Sequence, residues 1–213
     1  MKLNNDRAFK LAEFLLQIKA IKLQPSSPFT WASGIQSPIY CDNRKTLSYP
    51  KVRTYIRQSF AEMILEKFGK PDVIAGVATG GIAHGALVAQ DLGLPFIYVR
   101  STPKEHGLGN QIEGYYESGQ SVVVIEDLIS TGGSSLEAVR ALKEAGLVVK
   151  GLSAIFTYSF DEATAAFKAA KCPFDTLTNY EFLMEQAIKK KYIDESNLDS
   201  LVEWRKNPKD WRP

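Results

Sequence analysis

Residues 121–135 read Ser-Val-Val-Val-Ile-Glu-Asp-Leu-Ile-Ser-Thr-Gly-Gly-Ser-Ser, and few folds accept that order of residue types. Val122 to Ile125 is an unbroken β-branched run, short enough for a strand buried on both faces, and Gly119-Gln120 supplies a turn before it. Ser134 and Glu137 have the spacing of a capping box. After them, Leu136, Val139 and Leu142 make one apolar helical face that ends at Gly146. The segment therefore predicts a buried strand over 121–125, an acidic elbow, a loop of small residues and a helix.

Between strand and helix, Ser130, Thr131, Gly132, Gly133 and Ser134 offer backbone N–H groups and hydroxyls with no bulky side chain to block a ligand. Unsatisfied N–H groups at a helix start favour an anion, by ~0.3–1 kcal/mol from the dipole alone, so the loop has the makings of a phosphate cradle. Glu126 and Asp127 would repel a phosphate placed on them and need another partner. Two carboxylates one residue apart at a strand end suit a vicinal diol, so acids followed by an anion loop point to a sugar phosphate. The simpler alternative is a capped strand-to-helix turn carrying two solvated acids. Rival phosphate motifs are missing: there is no G-x-x-x-x-G-K-[ST], and Gly107-Leu-Gly109 lacks the third glycine of a dinucleotide fingerprint.

This order of hydrophobic run, acidic pair and S/T-T-G-G-S loop resembles the phosphoribosyl diphosphate (PRPP) signature of the type I phosphoribosyltransferases. The resemblance implies that PRPP binds along Glu126, Asp127, Leu128, Ile129 and Ser130 to Ser134, with Asp127 among the catalytic residues. A second strand-loop-helix follows the same plan, with a buried strand over Asp72-Val-Ile-Ala-Gly-Val77 leading into Ala78-Thr-Gly-Gly-Ile82. By itself that glycine pair reads equally well as a tight turn. In the family a loop at this place holds the diphosphate, and Thr79, Gly80 and Gly81 fall on it. Some orotate enzymes carry a lysine where Gly80 stands, so this loop would rely on backbone and hydroxyl donors.

Residues 95–99 read as a third strand, after which the periodicity dissolves into a polar, glycine-bearing connection over 100–115. Arg100, Lys104 and His106 could be an ordinary solvated charge run. Their spacing, R-x-x-x-K-x-H-G, resembles the mobile catalytic loop of the orotate phosphoribosyltransferases, which implies that all three bind PRPP and that Lys104 and His106 are catalytic. The second lysine common in that loop is Ser101 here. His84 lies in an Ala- and Gly-rich helix and reads as structural.

Toward the N-terminus, Leu11, Leu15 and Ile18 recur at helical spacing and predict a helix over about 5–20. Residues 29–43 mix aromatics with Gly, Ser and Pro, as short strands and turns do. Their pattern, F-T-x-x-S-G-x-x-S-P-x-Y, resembles the hood that covers the pyrimidine in orotate phosphoribosyltransferases, with Ala32 where many relatives have a lysine. The resemblance ranks orotate first among bases and sets Ser130 near its carboxylate. An arginine that follows a later strand in some orotate enzymes is replaced by the neighbourhood of Tyr158 and Ser159, so orotate recognition is expected to lean on Ser130 and the hood.

The expected fold is α/β. Strands near 73–77, 95–99, 121–125 and 148–156, with helices between most of them, predict a mainly parallel doubly wound sheet carrying an N-terminal helix-and-hood elaboration. At 213 residues the chain suits a single domain, 1–213, with helix and hood over 1–48, a PRPP-binding core over 71–160 and C-terminal helices over 161–213. A net charge of +2 argues against a nucleic-acid partner held by a basic face. Cys41 and Cys172 form no metal or disulfide spacing, the N-terminus is too polar for a signal peptide and no apolar run is long enough for a membrane helix, so a cytoplasmic protein is expected. The resemblance implies an orotate phosphoribosyltransferase that uses Mg²⁺ on PRPP and forms a homodimer with a shared active site. A transferase for another base and a PRPP-sensing regulator are the alternatives.

Overall fold

The computed structural model describes residues 5–31, 34–101 and 111–212. Helix α1 (Asn5–Gln17) buries Leu11 and Leu15 and stops short of the expected residue 20, because Lys19 takes a left-handed φ of 55° that turns the chain into β1 (Ile21–Leu23). Strands β2 (Phe29–Thr30), β3 (Gln36–Ser37) and β4 (Ile39–Cys41) are the short strands expected of the aromatic segment. They nest as two antiparallel pairs, β2 with β3 and β1 with β4. A 3₁₀ segment (Asn43–Ser48) leads to α2 (Pro50–Phe68), whose proline occupies the first turn where a missing N–H costs nothing. Its inward face includes Ile56, Phe60, Met63 and Ile64, and Gly69 closes it.

The α/β units follow. Strand β5 (Val73–Val77) is wholly buried and feeds α3 (Gly80–Leu92), then β6 (Phe96–Val99) and the short β7 (Ile112–Glu113). Strand β8 (Ser121–Ile129) feeds α4 (Gly133–Glu144), and β9 (Val148–Thr157) feeds α5 (Asp161–Ala169). The chain ends with β10 (Phe174–Asn179), α6 (Tyr180–Lys189) and α7 (Leu198–Lys206). One six-stranded sheet results, in the order β10-β9-β8-β5-β6-β7, parallel throughout except for β7.

Alternation along each strand divides the core into two layers. Ile74, Val123, Ile125 and Ile155 face α1, α2, α3 and α6, whereas Val73, Ala75, Val122, Val124 and Leu152 face α4 and α5. This is the doubly wound arrangement expected from the strand runs, and it sends every parallel strand's C-terminal end to one edge, where ligands of such sheets collect. Strand β10 was not predicted. Its apolar residues Phe174 and Leu177 are three apart and pack into opposite layers, so no period of two or of 3.6 marks it.

His84 is the structural residue its surroundings imply. It is buried in α3, and its Nε2 lies 3.1 Å from Thr46 Oγ1, which itself donates to the Asn43 carbonyl at 2.6 Å. With the hydroxyl proton already used, His84 Nε2–H is the donor. Burial lowers its pKa from the usual 6.5 to about 4. The unfolded chain therefore binds a proton that the folded chain refuses, and stability falls as pH drops from about 6.5 to about 4, by about 3 kcal/mol for this group in full. Replacing it should flatten that slope: between pH 7 and 4.5, urea unfolding of His84→Gln is expected to lose about 2 kcal/mol less than the wild type. Equal losses would show that His84 does not govern the acid limb.

Candidate active site

Strand β8 runs four residues beyond Ile125, which corrects the acidic elbow: Glu126 and Asp127 are strand residues. Successive strand side chains leave opposite faces, so the two acids part company. Glu126 turns to the α4 layer, 5% exposed, where its Oε2 accepts from Ser135 Oγ at 3.1 Å and its Oε1 from the Asp127 N–H at 3.0 Å. Burial first, and the adjacent Asp127 carboxylate second, push its carboxyl well above the ordinary carboxylate range. Asp127 turns to the α3 layer and is half-buried at a cavity of about 370 Å³. Only one of the paired acids thus presents an open carboxylate, although Glu126 still contributes to the same cavity wall.

The backbone around Asp127 is fixed from the hood side. Its carbonyl accepts from Asn43 Nδ2 at 2.6 Å, and Asn43 is joined through Thr46 to His84. A buried line of hydrogen bonds therefore runs from α3 through the 3₁₀ segment to β8. On the other side Gly80 opens α3 so close to β8 that a Cβ there would overlap the Asp127 carboxyl group, and a Cβ on Gly81 would strike the Ile125 carbonyl. Gly80 is the position where some relatives have a lysine. In this chain the carboxylate of Asp127 occupies the space such a side chain would leave by. Thr79, Gly80 and Gly81 thus bring the start of α3 against the acid, with Arg44 and Asp42, paired at 2.7 Å, on the same cavity wall. Nothing in the sequence marks Asn43 or Arg44, since each owes its place to the turn of the 3₁₀ segment.

The cradle differs from its prediction in one respect: no capping box forms. Gly132 is the N-cap, with φ 86°, and no side chain caps the helix. A side chain at Gly132 would be strained by that φ and would meet the Phe167 ring. Ser134 consequently sits inside the first turn. Leu136 N–H bonds the Gly132 carbonyl at 2.9 Å, and the earlier N–H groups of the turn have no intrahelical acceptor. Gly133 has open space where a side chain would stand. Helix α4 thus presents uncapped donors beside small residues, as an anion site requires.

Ser130 and Thr131 form part of a second cavity, of about 260 Å³, on the hood side of the cradle. Trp31 and Ile35 of the hood, Ser159 and Phe160 after β9, and Arg205 at the end of α7 complete the walls that matter here. Trp31 is held by its Nε1 donating to the Ile39 carbonyl at 3.3 Å and by rings of Tyr158 and Trp204 at 5.5 and 5.8 Å. The two cavities flank the C-terminal end of β8, with Asp127 and Ser134 on one and Ser130 and Thr131 on the other. Arg100 lies at the end of β6, where its N–H donates to the Gln111 carbonyl and its carbonyl accepts from Gln111 Nε2. Lys104 and His106 lie outside the described residues.

A family model described as "Phosphoribosyl transferase domain" matches residues 45–184. The chain is 58% identical over 208 residues to an orotate phosphoribosyltransferase of Bacteroides fragilis, covering 98% of this chain and 97% of that protein. It is 57% identical to the one from Listeria innocua, covering 95% and 97%. Its structure superposes on orotate phosphoribosyltransferase from Aeropyrum pernix with a TM-score of 0.73 at 25% identity, over 86% of this chain and 99% of that one. With 57–58% identity to these enzymes over nearly the whole length, and a fold that superposes on that of a solved relative, the chain belongs to the orotate phosphoribosyltransferase family.

Proposed function

We propose that this chain transfers the phosphoribosyl group of PRPP to orotate, forming orotidine 5′-monophosphate and diphosphate in the synthesis of pyrimidine nucleotides. The observation that carries the reading is the open Asp127 carboxylate at the end of β8, set between two helix starts and beside the hood cavity. PRPP has a monophosphate at one end of its ribose and a diphosphate at the other. The start of α4 (Ser130 to Ser134) takes the first, and the start of α3 (Thr79, Gly80, Gly81) the second, with Asp127 on the ribose hydroxyls between them. Leu128 and Ile129 carry the backbone from the acids to the cradle, and Glu126 stiffens it through Ser135.

Breaking the C1–diphosphate bond leaves positive charge on the ribose and negative charge on the leaving group. Asp127 opposes the first, while N–H donors, Arg44 and the loop cations Arg100, Lys104 and His106 oppose the second. Lys104 and His106 act on closure of the 100–110 loop, which also excludes water. Magnesium tends to be held by one or two carboxylates plus substrate phosphates, and Asp127 and Asp42 share the wall of the diphosphate cavity, while no cluster of three metal-binding side chains occurs among the described residues. Mg²⁺ carried on PRPP would neutralise diphosphate charge.

In this reading residues 1–48 supply the N-terminal helix and the base-covering hood, 71–160 bind PRPP, and 161–213 add the C-terminal helices of a single domain. It works as a cytoplasmic homodimer whose sites are shared, with neither nucleic acid nor membrane as a partner. No helix among the described residues is long and apolar enough to cross a membrane. Turnover of PRPP measured with orotate, uracil, hypoxanthine and adenine tests the assignment. Orotate is expected to react fastest by a wide margin, and a faster purine reaction would overturn it.

A further inference from the structure

We infer that Arg205, in the last turn of α7, binds the carboxylate of the base and so selects orotate over uncharged pyrimidines. The cavity beside Ser130 must accept a planar ring bearing an anion, yet it is also lined by Asp161 and Glu162 at the start of α5. An anionic ligand there needs a fixed positive charge. Lys206 and Lys209 reach the same cavity but are exposed residues on flexible stems. Arg205 is different, because its guanidinium is held from one side only: Nη1 donates to Glu181 Oε1 at 2.7 Å and to the Ser159 carbonyl at 3.3 Å. Nη2 and Nε take no partner among the described residues, which leaves a planar pair of donors of the kind that matches a carboxylate.

The mount is itself built with care for position. Ser159 has a left-handed φ of 58°, a conformation that costs a non-glycine residue ~1–3 kcal/mol and persists only where its surroundings enforce it. Its hydroxyl donates to Glu181 Oε2 at 3.0 Å and its N–H to Thr157 Oγ1 at 3.1 Å, so the turn after β9 clamps the same carboxylate that clamps Arg205. The neighbouring Trp204 is fully buried, donates from Nε1 to the Gln36 carbonyl at 3.2 Å and packs on Trp31. One turn of α7 therefore fixes both the hood and the cation. This is a binding role, with Arg205 acting directly on the base and Glu181 acting as its positioning residue.

Calorimetric binding of orotidine 5′-monophosphate and uridine 5′-monophosphate, which differ only in the carboxylate, isolates the contact. The inference rests on orotate being the base, and the wild type reads that premise alone: it must prefer the orotidine nucleotide, and equal affinities would remove premise and inference together. Arg205→Ala is expected to weaken the orotidine nucleotide by ~10–100-fold and the uridine nucleotide by less than about threefold, as loss of a charge-assisted hydrogen bond predicts. Arg205→Lys, which keeps the charge and the fold but not the planar fork, should restore only part of the preference. Equal losses for both nucleotides would make Arg205 merely a prop for Ser159 and α7. An unchanged preference in both variants would show that the carboxylate lies elsewhere.

Discussion

Asp127→Asn is expected to lower kcat for orotate by ~10²–10³ while leaving the unfolding midpoint in urea within error of the wild type. The amide keeps the volume that Gly80 accommodates, so α3 need not shift. Asn43 bonds the Asp127 backbone carbonyl, not its carboxylate, so the line of hydrogen bonds to His84 survives the exchange. What is lost is a negative charge beside a ribose that becomes cationic. Because that charge develops in the transition state, kcat should fall much more than PRPP affinity. Single-turnover kinetics with PRPP saturating would separate the two. An unchanged chemical step would end the electrostatic role assigned to Asp127.

The second large effect concerns assembly. Lys104→Ala and Asp127→Asn should each be poorly active alone, and mixing them under conditions that exchange subunits should recover activity approaching about a quarter of the wild type. Random exchange makes half of the dimers mixed, and each mixed dimer joins an intact loop to an intact cradle at one of its two sites only if the loop crosses to the other subunit. Native mass spectrometry would count the mixed dimers. Activity that stayed at the mutant level while they were present would assign each loop to its own subunit.

The parts of the fold that were legible in the sequence are those where one residue type serves one purpose. The runs at Val73–Val77 and Val122–Ile125 announce strands buried on both sides. The loop and helix after β8 were legible from the small residues 130–134 placed before one apolar helical face. The capping box was misread because Ser134 has the right spacing from Glu137, but the left-handed Gly132 starts the helix earlier. The paired acids were misread because a strand end cannot be located by composition: β8 runs on for four residues, paired with β9 at Glu126, Leu128 and Ile129, and so puts Glu126 and Asp127 on opposite faces. Asn43, Arg44 and Arg205 were out of reach, as they arrive by tertiary packing from segments far away in sequence. The guanidinium that α7 brings to Ser159 is the longest of these reaches, since no local pattern ties residue 205 to residue 159.

Strand β8 is hydrogen-bonded on both sides, by β5 and β9, and it is sealed between two helical layers, whereas the hood hangs on pairs of strands two or three residues long. The two halves of the proposed site therefore rest on backbone of unequal pairing. Amides of β8 are expected to exchange only when the whole sheet opens, while those of β2, paired over two residues alone, are expected to exchange first. Under the proposed assignment the ribose end would stay assembled as long as the sheet does. On the same assignment the roof over the base would depend instead on side chains, with Trp31 packed on Trp204 and the Trp204 ring nitrogen donating to Gln36, so the covering of the base would be set by the end of α7 and not by the sheet.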